Sequence, residues 1–137
     1  MSLFNGTEGQ FLKPDEAAEL TGTYRERKLD VGIKEDEVVR SEFFGIENIR
    51  QLIDQPGVVG LRVHHAKSWE DSDGNPLTTG DGRLTPRVVL VGVDRNGNDL
   101  VNNATDGLKD MPDDISFSGF LGRGPICPPE CGTRGGK

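Results

Sequence analysis

Residues 43–65 read FFGIENIRQLIDQPGVVGLRVHH and contain a helix pattern followed directly by a strand pattern. The apolar residues of the first half recur at helical spacing, on one stripe: Ile46, Ile49, Leu52 and Ile53. After Pro56-Gly57, apolar residues alternate with other residues at Val59, Leu61 and Val63. We therefore expect a helix over 46–55, ended by Pro56-Gly57, and a strand over 58–65.

A second strand pattern lies downstream, at residues 87–93 (RVVLVGV). This β-branched run is continuous, as in strands that are covered on both faces. Asn96-Gly97 follows, the pair best able to adopt the positive φ angles of a tight hairpin turn. We expect Leu100 and Val101 to return as a further strand.

The region before residue 43 predicts one helix and one strand. Pro14 suits a first helical position, acidic residues follow it, and apolar residues continue at helical spacing to Tyr24. We expect this helix over 14–28 and a strand over 38–44. The strands at 38–44 and 58–65 could pair in parallel, because the helix between them is long enough for a crossover.

Together these patterns predict an α+β fold, with two helices packed on a small, mainly antiparallel sheet of three or four strands in the order α-β-α-β-β-β. Residues 1–12 are expected to form a flexible arm, 13–122 a single domain, and 123–137 a tail rich in Pro, Gly and Cys, disordered beyond Gly132. Residues 67–86 carry no sustained period and predict a long loop, which is commonly a functional feature in a small domain.

Charge and composition exclude several classes of function. The 137 residues include 16 Lys or Arg and 23 Asp or Glu, for a net charge of −7. An acidic chain disfavours nucleic acid and anionic membranes as partners, because both attract Lys and Arg. The sequence lacks an apolar run long enough to span a membrane and a secretory signal pattern, so we expect a cytoplasmic protein with reduced cysteines.

The segment Cys127-Pro128-Pro129-Glu130-Cys131 is the most conspicuous local motif. On an extended polyproline path the two Cα atoms would lie about 12 Å apart, whereas a disulfide needs them within about 7 Å. Only a turn could close that bond. Three interpretations remain open: a rigid segment whose Cys side chains dock as small apolar groups, a redox pair, or a metal site.

The metal interpretation needs ligands beyond the two thiolates, and His64 and His65 are the candidates. Neighbours on a strand point to opposite faces, so at most one of them can readily join the cysteines, and Glu130 or a second chain would have to complete the site. The simpler expectation is a buried His65 on the core-facing side of its strand and an exposed His64. No cofactor is predicted.

Two segments resemble the start of a calcium loop: 71–75 (DSDGN) and 94–98 (DRNGN). Both lack the Gly at the sixth position and the Glu at the twelfth position that an EF-hand requires. Turn chemistry explains them more simply, because Asp and Asn side chains bind nearby backbone N–H groups.

Four stretches together resemble a family of small uncharacterised bacterial proteins that have a C-terminal CPPxC motif. They are DEAAELTGTYRERK (15–28), FFGIENIRQLIDQPGVVGLRV (43–63), VVLVGVDRNGNDL (88–100) and CPPEC (127–131). This sequence differs from the family pattern at Glu130, at His64-His65 and in the length of the 67–86 loop. The resemblance implies a shared fold and supplies no activity.

The functional expectation is a small binding or accessory protein rather than an enzyme. Its unusual residues lie in predicted loops, where recognition is commonly placed, so CPPEC and 67–86 are expected to contact a protein partner. The alternative is a metal- or thiol-dependent activity that uses Cys127, Cys131 and one histidine. Catalytic motifs such as Gly-x-Ser-x-Gly or a phosphate-binding loop do not occur.

Overall fold

The computed structural model describes residues 2–78, 80–101 and 117–132, and within them it confirms the predicted α+β class. The helices are α1 (Pro14–Asp30) and α2 (Ile46–Ile53), with a short 3-10 helix at Glu35–Glu37. The strands are β1 (Ser41–Glu42), β2 (Val58–Glu70), β3 (Arg83–Asp94), β4 (Phe120–Leu121) and β5 (Ile126–Cys127). They form two antiparallel sheets in the described part of the chain, one of three strands and one of two.

The chain divides into two compact units. The first contains residues 1–8 and 44–123, and therefore α2, β2, β3 and β4. The second contains residues 9–43 and 124–137, and therefore α1, the 3-10 helix, β1 and β5. Each unit is built from segments that are distant in sequence, so neither could be outlined from a local pattern.

The first unit is centred on a long hairpin of β2 and β3. The two strands pair without a register shift from Gly60↔Val93 to Glu70↔Arg83, with one irregularity between Val58 and Gly60. The prediction of a loop over 67–86 was therefore wrong at both ends, because only 71–82 connects the strands. Polar residues hid these strand ends from pattern analysis, since the pairing there depends on a partner strand rather than on an apolar period.

The core of this unit forms where α2 packs against the two long strands. Leu52 of α2 is 1% exposed and Val91 of β3 is fully buried. A Cβ atom on Gly92 would lie 3.0 to 3.1 Å from atoms of Val58, Gln55 and Leu52. A glycine therefore stands inside this strand because the end of α2 approaches its backbone closely.

The prediction that His65 lies on the core-facing side of β2 was wrong. His65 is exposed, and Leu61 and Val63, on the same face, are exposed as well. The opposite face carries the most deeply buried residue of the strand, Glu70. Alternation identified the strand correctly, but the choice of core face depends on what packs against it.

The chain after β3 turns at residues 94–98, as predicted. Leu100 donates its N–H to the carbonyl of Gly92 at 2.8 Å, and Val93 and Asp99 form an isolated bridge. The return does not continue as the predicted strand at 100–101. β4 takes the place beside β3 instead, with the pairs Leu90↔Leu121 and Val91↔Phe120.

The second unit joins β1 and β5 in a two-stranded sheet, with the pairs Ser41↔Cys127 and Glu42↔Ile126. The predicted strand over 38–44 is thus reduced to two residues, and it pairs with β5 rather than, as it could have done, in parallel with 58–65. In α1, which extends two residues beyond the prediction, no residue is buried. The Tyr24 hydroxyl at this helix donates to the carbonyl of Val39 at 3.3 Å, and Arg25 pairs with Glu35.

In the residues that the structure describes, no helix has the length and apolar character needed to cross a bilayer. The predicted disorder beyond Gly132 falls on 133–137, outside the described residues. At the other end of the chain, Leu3 and Phe4 both donate their N–H groups to the carbonyl of Arg95, at 2.6 and 2.9 Å.

Candidate functional site

The CPPEC segment is held by backbone hydrogen bonds within the second unit. Arg40 donates its N–H to the carbonyl of Cys127 at 2.7 Å, and Phe43 donates to the carbonyl of Pro125 at 2.8 Å. The N–H of Gly124 binds the carboxylate of Glu42 at 2.8 Å. The segment before and including Cys127 is therefore fixed along β1.

Cys127 and Cys131 are joined by a disulfide, so the expectation of reduced cysteines was wrong for this structure. Their Cα atoms lie 4.7 Å apart, because the segment turns instead of following the extended path. The peptide bonds before Pro128 and Pro129 are both cis. Glu130 donates its N–H to the carbonyl of Ile126 at 2.9 Å, which closes the turn.

The two sulfurs of this disulfide lie in different surroundings. Cys127 is only 7% exposed, whereas Cys131 is half-buried. The guanidinium of Arg40 lies beside Cys131, with 3.8 Å between Nη2 and Sγ. Pro129 and Glu130, at the tip of the turn, are exposed. Cys131 is thus the less buried cysteine of the pair, and its sulfur lies beside a cation.

The predicted histidine ligands belong to the other unit. His64 Nε2 lies 2.9 Å from the carboxylate of Asp99, which also pairs with Arg62. His65 is exposed on the opposite face of β2. Across residues 2–78, 80–101 and 117–132, no three His, Cys, Asp or Glu side chains come together in a group that could hold a metal ion.

A second ionic cluster, missed by pattern analysis, surrounds Glu70. Its side chain is 1% exposed, and both carboxylate oxygens accept hydrogen bonds from Arg87, each at 2.9 Å. Arg123 donates to the same carboxylate at 3.4 Å and to the hydroxyl of Ser68 at 3.1 Å. The hydrogen bonds from Arg87 lower the pKa of Glu70 below its ordinary value of 4.5, against the opposing effect of burial, with further help from Ser68 and Arg123. Such a fully paired carboxylate is suited to holding the hairpin rather than to proton transfer.

The two calcium-like segments are turns, as predicted. Asp71 accepts backbone hydrogen bonds from Asp73 and Asn75, each at 2.9 Å, and Asp94 accepts them in the same way from Asn96 and Asn98. The N–H groups of Asn75 and Asn98 are the main cause of a lowered pKa at Asp71 and Asp94 respectively. The carboxylates are therefore engaged by their own backbone.

An apolar patch lies on the face of the hairpin that carries the odd-numbered residues of β2 and their even-numbered partners in β3. Its members are 38% to 53% exposed: Leu61, Val63, Trp69 and Leu84. Trp69 and Leu84 stand opposite each other in the sheet, near its 71–82 connection. At the other end of β2, a cleft of about 440 Å³ separates the N-terminal arm from the strand and is lined by Phe4, Gly6, Glu8, Val93 and 59–63.

The amide and carbonyl groups at the outer edge of β2 can be assigned from two contacts. The carbonyl of Trp69 accepts from Leu77 and that of Gly92 accepts from Leu100, each at 2.8 Å, so these carbonyls point away from the β2–β3 pairing. Opposite residues in antiparallel strands alternate between bonded and non-bonded pairs. Leu61 and Trp69 are therefore in non-bonded pairs, and so is every second residue between them. The backbone groups of these residues point outward from the sheet: Val63, His65 and Lys67.

No family model, curated protein or solved structure matches this chain. The structure supports one part of the family resemblance. Cys127 and Cys131 have the Cys-x-x-x-Cys spacing and are brought together as a disulfide.

Proposed function

We propose that this protein is a small, non-catalytic binding protein whose partner adds an extended segment along the outer edge of β2. The observation that carries the proposal is the coincidence of an outward-directed backbone edge with an exposed apolar patch on the same strand. A strand edge supplies affinity through main-chain hydrogen bonds, and alternate side chains supply specificity.

The backbone edge favours an extended partner over a folded surface. Val63, His65 and Lys67 present outward N–H and C=O groups, and in the described part of the chain no other segment hydrogen-bonds to them. Three consecutive outward positions span roughly 13 Å at about 3.3 Å per residue. This length suits a segment of about five residues.

The side chains on this face indicate the chemistry of the segment. Leu61, Val63 and Trp69 offer apolar contacts, while Lys67 and His65 between them are its basic groups. The matching segment carries apolar residues at alternate positions and an Asp or Glu opposite Lys67. Trp69 is the only Trp of the chain and is 40% exposed, as expected for an interface anchor.

The proposal keeps part of the predicted contact surface and extends it. Residues 67–86 contribute Trp69 and Leu84, although the flanks of this segment are strands rather than loop. Pro129 and Glu130 are exposed in the second unit, and a partner contact at the CPPEC segment stays a separate prediction. A cytoplasmic location and membership of the CPPxC family are parts of the same proposal.

A photo-crosslinking side chain at position 65, with position 64 as its matched control, tests the proposal in cells. The two positions are adjacent on β2, both exposed, and on opposite faces. We expect position 65 to crosslink to one discrete segment with alternating apolar residues and an acidic residue, and position 64 to give none of that product. In the purified complex, the amides of Val63, His65 and Lys67 should gain protection from hydrogen exchange.

Leu84→Asp provides a second test in the same crosslinking experiment. It places a charge in the apolar patch opposite Trp69 and leaves the backbone edge of β2 unchanged. We expect this variant to keep its circular dichroism spectrum and to lose the position-65 crosslink. Equal crosslinking from positions 64 and 65, or crosslinks only to a second copy of this chain, would contradict the proposal.

Metal chemistry has no part in the proposal. The two cysteines are bonded to each other, and His64 is paired with Asp99. The alternative stated from the sequence was a metal- or thiol-dependent activity. Its thiol-dependent form is favoured by a separate observation, the contact of Arg40 with Cys131.

A further inference from the structure

The disulfide of the second unit has three features that bear on its reactivity. Its cysteines are separated by only three residues, Cys131 is less buried than Cys127, and a guanidinium lies 3.8 Å from the sulfur of Cys131. A loop this short removes little entropy from the unfolded chain, so the bond is a weak stabiliser compared with one that closes a long loop.

A cation beside a sulfur matters when that sulfur carries negative charge. Neighbouring Arg or Lys groups stabilise a thiolate, which is the form of cysteine that attacks and leaves in disulfide exchange. The backbone of Arg40 is fixed beside Cys127, because its N–H binds the carbonyl of Cys127 and Arg40 directly precedes β1. Its guanidinium Nη2 lies 3.8 Å from Sγ of Cys131.

We propose that Cys127–Cys131 is a thiol–disulfide exchange site for dithiol partners, in which Cys131 is the exchanging sulfur, Cys127 the resolving one, and Arg40 a positioning residue that stabilises the Cys131 thiolate. The inference is independent of the proposed binding along β2, since its residues all belong to the second unit.

The exchange proceeds in two displacements. A thiolate of the partner attacks Sγ of Cys131 and forms a mixed disulfide, while the bond to Cys127 breaks and its electron pair leaves with Cys127 Sγ, which takes up a proton. The second thiolate of the same partner then attacks the partner sulfur of the mixed disulfide and releases Cys131 as a thiolate beside Arg40. Two electrons pass to this protein, and the dithiol becomes a disulfide.

The reverse direction begins with the Cys131 thiolate. It attacks a partner disulfide, and Cys127 then resolves the mixed disulfide. Burial suits Cys127 for this second step, because a sheltered thiol reacts with its neighbour in the turn and is protected from other reagents.

The first experiment uses the full chain without substitutions. Oxidised protein is incubated with dithiothreitol, and the free thiols are counted by mass after alkylation, in the folded state and in denaturant. We expect the folded protein to be reduced at a rate within about tenfold of the unfolded chain, because Cys131 is only partly buried. Reduction that occurs only in denaturant would overturn the proposal.

The second experiment identifies the exchanging sulfur. In Cys127→Ser and Cys131→Ser, the remaining thiol is reacted with a neutral pyridyl disulfide, which avoids charge attraction to Arg40. We expect Cys131 to react at least about tenfold faster than Cys127. In the reduced unsubstituted protein, limiting alkylation followed by peptide mapping gives the same comparison if either variant fails to fold. A faster Cys127 in both measurements would overturn the assignment.

The third experiment separates the charge of Arg40 from its structural contacts. In the Cys127→Ser background, Arg40→Gln should slow Cys131 about threefold to tenfold at neutral pH and reduce the ultraviolet absorbance of its thiolate, and Arg40→Lys should restore most of both. Arg25→Gln is the control, because Arg25 is a second arginine of this unit that pairs with Glu35. Equal rates for Arg40→Gln and Arg25→Gln would contradict the role of Arg40.

Discussion

The turns at 71–75 and 94–98 have the same local structure in different surroundings. In both, the first Asp accepts two backbone N–H groups at 2.9 Å and the fourth residue is a glycine with positive φ, 84° at Gly74 and 87° at Gly97. Each is flanked by an isolated bridge, Glu70↔Pro76 or Val93↔Asp99. The same five-residue pattern therefore gives the same turn, although only the turn at 94–98 also binds the N–H groups of Leu3 and Phe4.

The carboxylates at the two bridges differ in what surrounds them. Glu70 is 1% exposed and pairs with Arg87, whose side chain is 11% exposed. Asp99 is 24% exposed, and its partners Arg62 and His64 are more exposed still. The comparison teaches that a local sequence motif fixes backbone geometry, whereas burial decides how much an attached ion pair contributes to stability.

The largest expected effect is that of Glu70→Gln. It removes the carboxylate that pairs with the buried guanidinium of Arg87, so we expect the free energy of unfolding to fall by about 3 kcal/mol. Urea denaturation followed by circular dichroism measures this change. A loss below about 1 kcal/mol would mean that Glu70 behaves like a surface carboxylate and would remove the contrast with Asp99.

Alanine at the two turn glycines tests whether the two turns are equivalent. Gly74→Ala and Gly97→Ala each force a side chain into the left-handed region, so each should cost about 1–2 kcal/mol. A Cβ at Gly97 would also lie 2.7 Å from Cδ2 of Leu3, the end of a flexible side chain that can shift. Nearly equal costs are therefore expected in urea titrations, and a much larger cost at Gly97 would show that Leu3 is fixed.

Asp99→Asn is the matched counterpart of Glu70→Gln. Its carboxylate and partners are partly exposed, and water screens such pairs, so we expect a loss of about 1 kcal/mol or less. Salt should weaken the contribution of Asp99 more than that of Glu70. Equal salt dependence of the two variants, measured by urea titration at low and high ionic strength, would argue against the role assigned to burial.

The smallest effect concerns pH. Backbone hydrogen bonds hold the pKa of Asp71 and Asp94 below the ordinary value of 3.8, so their stabilising contribution is complete above about pH 3.8 and is lost as the pH falls through their folded-state values. Asp71→Asn and Asp94→Asn should each remove a small and equal part of the acid-induced loss of stability. Urea titrations across this pH range compare the two variants, and unequal changes would indicate that the surroundings reach these exposed turns.

The sequence predicted the elements whose signals are local. Helix α2 follows from one apolar stripe ended by Pro56-Gly57, and the turns follow from Asp and Asn bonding to their own backbone. The central part of β3 follows from a run of β-branched residues. Each of these patterns is complete within about ten residues, so no knowledge of the partner segment was needed.

Other features depend on which distant segments meet. The ion pair of Glu70 and Arg87, 17 residues apart, holds the hairpin near its 71–82 connection. The polar side chains of this region give no strand period. The pairing of Ser41 with Cys127 joins strands of two residues each, which are too short for any pattern. For the candidate site, CPPEC was identified from its residues, but Arg40 was not, because nothing within the motif indicates which side chain will lie beside Cys131.

The division of the chain into two units also separates its two natural chromophores. Tyr24, the only tyrosine, belongs to the second unit, and Trp69, the only tryptophan, belongs to the first. Intrinsic fluorescence can therefore follow each unit during unfolding without any added label. Coincident tyrosine and tryptophan transitions would indicate a single cooperative folding event, whereas separate transitions would give each unit its own melting temperature.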